Sequence, residues 1–330
     1  MLRPLCLIVN PKAGNGRART LMPAVTEVLA NDGAEHRIVE SASLAHAKEL
    51  VAEAAGRGEV AVAVGGDGMA GAMAGAAAAA GASYGLIPAG RGNDFAGVLG
   101  IPADPAAAAR VLISGQPRQV DLIGVSTPDH EEVLVAGSVY AGLPALVGQV
   151  ANATKLLGGP LVYPVAALRV LAGWRPVTFT VRIAGQAESA RGDDPPEPPA
   201  ESAAYEFAGY AVVVANSAFF GAGMQVAPPA LIDDGVLDVV LMRHARKLTF
   251  VKALLKIKDG SHVALPQITL DRATEVTVTM TGDLPAAADG ESLACADPLA
   301  AGTPLRIRVL PGALSVYADM RSDSQASASG

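Results

Sequence analysis

Short apolar runs recur through the first hundred residues, each closed by glycine or a turn signal and followed by a stretch of helical spacing. The runs are Leu5–Val9, His36–Glu40, Ala61–Val64 and Tyr84–Pro88. Continuous apolar runs suit strands covered on both faces, as in a parallel sheet. Between them, Ala18 to Leu29, the series Leu44, Ala47, Val51 and Ala54, and the Ala/Gly/Met stretch from Met69 to Ala80 predict helices. This alternation predicts a parallel α/β sheet, whose right-handed crossovers put the loop after each strand on one edge. Asp104 to Ile113 predicts another helix, and Gln119 to Val125 a strand that leaves this domain.

The pattern then changes. Val133–Tyr140, Val177–Ile183, Glu206–Ala215, Leu237–Met242, Glu275–Thr281 and Leu305–Leu310 are β-rich runs with turn signals between them. They predict an antiparallel, sandwich-like second domain. Ala151 to Gly173 interrupts it with apolar, mostly helical sequence, and Ala190 to Glu201, with four prolines and four acids, reads as an exposed hairpin loop. The Ser/Ala/Gly-rich tail, residues 321–330, reads as disordered. At 330 residues the chain is long enough for two domains.

Composition narrows the function classes. A net charge of -7 argues against nucleic acid as the main partner. Two cysteines, Cys6 and Cys295, with no metal-spaced Cys/His cluster, favour a reduced, cytoplasmic setting. The uncharged span Val133 to Thr154 carries Gly137, Gly142, Pro144, Gly148, Gln149 and Asn152, so strand, loop and helix are expected there in place of a membrane span.

The chemistry gathers in the loops of the first domain. Ala61–Val64 runs directly into Gly65-Gly66-Asp67-Gly68; Leu5–Val9 into Asn10-Pro11 and then Gly14-Asn15-Gly16; Tyr84–Pro88 into Gly90-Arg91-Gly92-Asn93-Asp94. Glycines let backbone N–H groups approach phosphate closely, and a lone carboxylate there can accept a proton or hold a metal. Each loop alone also reads as a tight turn, and neither a Walker A motif nor a dinucleotide fingerprint is present. Three such loops on one edge could converge.

In combination these residues resemble bacterial diacylglycerol kinases and their lipid-kinase relatives, including sphingosine kinase-like enzymes. The first-half motifs are Asn10-Pro11-x-x-Gly14, Gly65-Gly66-Asp67-Gly68, Pro88-x-Gly90-x-Gly92-Asn93-Asp94-Phe95 and Leu99-Gly100-Ile101-Pro102. The second half adds Ala215-Asn216-Ser217, Phe220-Gly221-Ala222-Gly223-Met224, Asp233-Asp234-Gly235-x-Leu237-Asp238, Asp289-Gly290-Glu291 and Pro311-Gly312-Ala313-Leu314. The resemblance implies an NAD kinase- and phosphofructokinase-like nucleotide-binding domain over residues 1–125, with 312–320 returning to it, and a β-rich lipid-substrate domain over 126–311. It implies transfer of the γ-phosphate of ATP to a lipid hydroxyl, diacylglycerol first among acceptors, with Mg²⁺.

Under that reading Gly14, Gly16, Gly65, Gly66, Gly68, Gly90 and Gly92 form the backbone cradle, with Asn10, Asn93 and Asp94 as polar nucleotide contacts. Asp94 also reads as a helix N-cap. Asp67 and Asp289 are the two candidate bases, Glu291 accompanies Asp289, and Asp233, Asp234 and Asp238 are a carboxylate cluster suited to a hard cation or to a solvated turn. One departure stands out: relatives often carry Thr after Gly-Asp-Gly and Asn-Glu shortly beyond, where this chain has Met69-Ala70-Gly71-Ala72. The alternatives are a kinase of another acceptor (a sphingoid base, another lipid alcohol or NAD) and a non-catalytic nucleotide- or lipid-binding protein.

A basic stretch suggests how a lipid substrate is met. Arg243, Arg246, Lys247, Lys252, Lys256 and Lys258 lie among Leu248, Phe250, Val251, Leu254 and Leu255. Each cation near an anionic bilayer contributes about 1 kcal/mol, so peripheral, salt-sensitive membrane association is expected, the alternative being an amphipathic helix with a solvated lysine face. The sequence leaves room for a homodimer.

Overall fold

The structure is a computed structural model and describes residues 3–153, 162–185, 203–221, 223–293 and 298–318. The expected loop at Ala190 to Glu201 and the tail after Arg321 lie outside the described residues. The chain forms two compact units and passes from the first to the second inside one strand, returning inside another.

The first unit comprises β1 (Leu5–Val9), α1 (Arg17–Asn31), β2 (His36–Glu40), α2 (Leu44–Gly56), β3 (Val60–Gly65), α3 (Asp67–Ala79), β4 (Tyr84–Pro88), α4 (Asp94–Val98), α5 (Pro105–Ser114) and the start of β5 (Gln116–Thr127). Gly221, Gly223 and the described residues from Pro311 onward also belong to it. Its strands run parallel in the order β2-β1-β3-β4. Every residue of β1, β3 and β4 is buried, as their unbroken apolar runs require. Helix α1 packs with α5 and α2 with α3, and right-handed crossovers from this strand order put the two pairs on opposite faces. The strand order changes direction between β1 and β3. In open α/β sheets that switch point is where ligands bind, outside the strands' carboxyl ends.

Small residues make this packing tight. Helix α3 turns Met73, Ala74 and Ala77 fully into the core, and Tyr84 of β4 donates its hydroxyl to Ala70 O at 2.9 Å. Burial holds the Tyr84 phenol protonated, with the nearby Asp67 charge adding to the effect.

The second unit takes the rest of β5 and then β6 (His130–Val135), β7 (Ser138–Gly142), α6 (Leu143–Ala153), α7 (Val162–Gly173), β8 (Val177–Ala184), β9 (Ala203–Ala215), β10 (Phe219–Phe220), β11 (Met224–Gln225), β12 (Leu237–Arg243), α8 (Lys247–Lys256), β13 (Ile268–Ala273), β14 (Glu275–Met280), β15 (Ala286–Ala288), β16 (Glu291–Ser292) and the start of β17 (Leu305–Ala318). Its pairings are antiparallel. The long β9 organises them: residues 211–215 pair with β7, residues 203–209 with β8, and the opposite edge with β12.

Alternation sorts side chains into two cores. Val212 and Val214 of β9 join Val239 and Leu241 of β12 in one core, together with Val276, Val278, Leu305 and Ile307. Ala211, Val213 and Ala215 join Val240 and Met242 on the other face, covered by Leu143, Val170 and Phe250 from α6, α7 and α8.

Three expectations change. The run expected over Val133–Tyr140 is two strands, broken at Ala136 and Gly137. Helix α6 begins at Leu143, well before the expected Ala151. Strand β13 has no counterpart among the expected runs, because it is an edge strand whose first five residues are half-buried and mixed in polarity.

Candidate active site

At the carboxyl edge of the first sheet the three glycine loops touch. Gly14 sits at φ +57°, and a Cβ there would run into the carbonyl oxygen of Ala89. A Cβ at Gly90 would lie 2.7 Å from Gly66 Cα and 2.9 Å from Asn93 Oδ1. These glycines are required first because the loops press backbone against backbone. Gly16, at φ +90°, differs: a Cβ there would meet nothing within 4 Å, so this glycine faces open space at the start of α1.

Asp67 lies at the centre. It is the first residue of α3, where a carboxylate complements the helix dipole. Its Oδ2 accepts from Asn93 N at 2.8 Å. Its Oδ1 is buried with no hydrogen-bond partner among the described residues. A buried, unshared carboxylate oxygen is costly in a native fold. It is chemically suited to a cation or to a donating hydroxyl. The first α3 bond runs from Ala70 N to Gly66 O, so the amides of Asp67, Gly68 and Met69 precede the helical ladder. Neither Gly16 before α1 nor Gly66 before α3 supplies a side-chain cap. The Arg17 amide of α1 is taken by Ala13 O and Gly14 O, so the start of α3 is the one whose amides suit an anion.

The polar residues beside the cradle are more occupied than their motifs suggest. Asn93, at φ +57°, accepts from Gly90 N at 2.8 Å through Oδ1 and donates Nδ2 to Gly90 O at 3.3 Å. It closes the third loop on itself, so the Gly90 amide is not free for phosphate. Asn10 Oδ1 accepts from Lys12 N at 3.0 Å, a local turn contact. Asp94 is the first residue of α4 and not its cap; its Oδ1 accepts from Gly223 N at 2.9 Å. Gly65 ends β3, its carbonyl accepting from Ala89 N at 2.7 Å, while Gly92 stays in the loop before α4.

The departure after Gly68 also has a place. Met69 is buried, and its Sδ lies 2.7 Å from where a Gly65 Cβ would sit. Its side chain is packed in the core against Gly65.

The remaining candidates lie in the second unit. Asp289, at φ +48°, accepts through its carboxylate from the amides of Ala136 at 3.1 Å, Gly137 at 3.0 Å and Ser138 at 2.8 Å. The buried Asn216 donates to Ala136 O at 3.0 Å in the same turn. Asp289 therefore braces the break between β6 and β7. Glu291 is exposed on β16.

Asp234 pairs with Arg272 and accepts from Val236 N at 3.3 Å, Asp233 is exposed, and Asp238 is buried on β12. Among the described residues no three Asp, Glu, His or Cys side chains gather closely enough to hold a metal ion. The expected trio does not assemble, because Asp238 is a strand residue in register with Arg272 while Asp233 and Asp234 belong to the preceding turn.

Asp238 is notable by itself. Only 1% exposed, it leaves both carboxylate oxygens without a hydrogen-bond partner among the described residues. Burial pushes its pKa up to about 6, partly opposed by Arg272 and reinforced by Asp234. It pairs across the ladder with Ala215, which pairs with Ser138, whose carbonyl accepts from Asp289 N. Counted along the ladders, the backbone of Asp289 lies three strands from that of Asp238, and its carboxylate folds back onto the amides of residues 136–138.

Comparison with known proteins resolves what this arrangement belongs to. The profile described as "Diacylglycerol kinase catalytic domain" matches residues 4–125, and the one described as "YegS C-terminal NAD kinase beta sandwich-like domain" matches residues 137–318. The chain belongs to the diacylglycerol kinase and YegS-like family of lipid kinases. This lipid kinase is 28% identical over 311 residues to a "Diacylglycerol kinase" of Mycobacterium tuberculosis, covering 94% of this chain and 93% of the relative. It is 30% identical over 232 residues to a "Probable lipid kinase YegS-like" of Stenotrophomonas maltophilia, covering 67% and 69%. A crystal structure described as a diacylglycerol kinase from Bacillus anthracis shares the fold at a TM-score of 0.68 and 19% identity, over 96% of this chain and 97% of that one. As a kinase of this family it takes ATP as phosphoryl donor.

Sequence reasoning misses three contacts of the candidate residues: the self-closure of Asn93 on Gly90, the Gly223 amide on Asp94, and the bracing of residues 136–138 by Asp289. The only advance signal is the density of glycine and asparagine around these positions. Which amide meets which side chain is set by residues far apart in sequence.

Proposed function

We propose that the protein transfers the γ-phosphate of ATP to the hydroxyl of diacylglycerol, giving phosphatidic acid and ADP. The observation that carries this reading is Asp67 Oδ1, buried and unshared where three glycine loops meet at the sheet's switch point. Phosphoryl transfer asks mainly for positioning and electrostatics. In this reading the uncapped start of α3 supplies amide donors for the phosphates, with Gly14, Gly16, Gly66 and Gly68 admitting them. The acceptor oxygen bonds to the γ-phosphorus, the bond to the β-phosphate oxygen breaks with ADP leaving, and the hydroxyl proton passes to a carboxylate.

Mg²⁺, when bound with ATP, supplies charge neutralisation on the phosphates. The chemistry of Asp67 fits it: a hard carboxylate oxygen without another partner among the described residues. Asp67 Oδ1 thus has two uses, holding that cation or receiving the hydroxyl proton. Of the two candidate bases, Asp289 is the more engaged, since three amides already occupy its oxygens.

The test is a radiolabelled ATP assay over diacylglycerol, monoacylglycerol, a sphingoid base and NAD. Label in phosphatidic acid is the expected result, and label only in another acceptor would overturn the choice of substrate. Asp67→Asn is expected to lose about 10²–10⁴ in turnover with the fold retained. A loss that excess Mg²⁺ restores assigns Asp67 to the cation; a loss that persists at saturating Mg²⁺ assigns it to the proton.

A further inference from the structure

Helix α8 turns two leucines to solvent. Leu248 is 79% exposed and Leu255 76% exposed. Seven residues apart, they share one face, with Lys252 between them and Lys256 on its flank. The opposite side buries Phe250, and Ile257 just past the helix end, in the second unit's core. The outward face is therefore apolar and cationic together, where an ordinary solvated helix face would be polar throughout.

The surroundings extend it. Lys247 donates Nζ to Ala172 O at 2.6 Å, which sets the start of α8 against the end of α7. On α7, Val165 and Leu168 are 42% and 58% exposed, beside the exposed Arg169. Arg246 and Lys258 are also exposed at either end of α8. Asp259 is the one acid between Arg243 and Gly260, and its carboxylate accepts from Ser261 N and Oγ at 3.0 and 2.7 Å. So a chain of net charge -7 concentrates cations around its most exposed leucines.

We propose that the outward face of α8, continued by Val165 and Leu168 of α7, is the surface by which the protein docks on an anionic lipid bilayer. The leucines enter the boundary between headgroups and acyl chains while Lys252, Lys256, Arg246 and Lys258 meet lipid phosphates, the composition of an interfacial helix. No helix among the described residues is long and apolar enough to cross a membrane, so this mode lies on the surface. The proposal agrees with a lipid acceptor but does not depend on turnover.

The experiment is sedimentation with vesicles of phosphatidylcholine alone or mixed with phosphatidylglycerol, at low and high salt. The wild-type chain is expected to bind the anionic vesicles at low salt and to release at high salt. Leu248→Ser with Leu255→Ser should weaken binding at least about tenfold at low salt. Lys252→Gln with Lys256→Gln should weaken it roughly tenfold at low salt, with the difference shrinking at high salt. Leu248→Trp should shift its emission to the blue only with anionic vesicles, which reads insertion directly.

Asp67→Asn should bind vesicles like the wild type, so a failed kinase assignment and a failed docking assignment are told apart. Absence of wild-type binding to anionic vesicles would overturn the proposal. So would either double variant binding undiminished, or the leucine pair dissociating a dimer with no change in vesicle binding.

Discussion

Replacing Asp238 by asparagine exposes a cost built into the second unit. The carboxyl is 1% exposed, lies in a central strand, and titrates near 6 where an unfolded chain would titrate near 3.8. A raised folded-state value means the folded protein holds this proton more tightly. The stability linked to Asp238 is thus fully present below about pH 3.8 and is lost as pH rises through about 6. A difference of about two pH units corresponds to about 3 kcal/mol by pH 7.5.

Asparagine cannot ionise, so its own penalty is constant with pH; if its amide lacks acceptors, that offset is about 1–3 kcal/mol. The quantity to measure is therefore the change in the stability gap between variant and wild type, from chemical denaturation in Mg²⁺-free buffer between pH 4 and 7.5. The gap should move in the variant's favour by about 2 kcal/mol across that window. A gap that stays constant with pH would refute the reasoning, since Asp238 would then be solvated or paired when charged.

Two further outcomes follow from the loops. Gly90→Ala would push a Cβ to 2.7 Å from Gly66 Cα, so the glycine loops must part; a stability loss of about 1–3 kcal/mol with a raised KM for ATP is expected, and an unchanged KM would detach these loops from the nucleotide. Asp289→Ala strips three amides of their acceptor and should cost about 1–3 kcal/mol, visible as a lowered Tm even in apo protein. An unshifted Tm would show that the bracing of residues 136–138 is dispensable.

The parallel order of the first unit is readable because its strands are continuous apolar runs, and buried strands between helices have few other arrangements. The glycines of its loops are readable too, yet their immediate cause is not. Gly90 reads as part of a phosphate cradle; its amide in fact meets Asn93 Oδ1, and its missing Cβ makes room for Gly66. Met69 reads as a loss at the site and is a core residue. In the second unit the apolar runs of β9 and β12 are legible, whereas β13, an edge strand of mixed polarity, is not.

By itself, the chain's order of apolar runs and glycine motifs determined the α/β class, the change to antiparallel β structure and the kinase family, and it singled out Asp67 as a candidate. These depend on local periodicity and on residue types that the chemistry of phosphate demands. Only the tertiary structure decided which carboxylates are committed. Asp289 is bound to amides some 150 residues away, Asp234 to an arginine across the sheet, and Asp67 keeps one oxygen unshared. Hydrogen-bond partners are chosen by strand register and loop contact, and neither is written in the spacing of a motif.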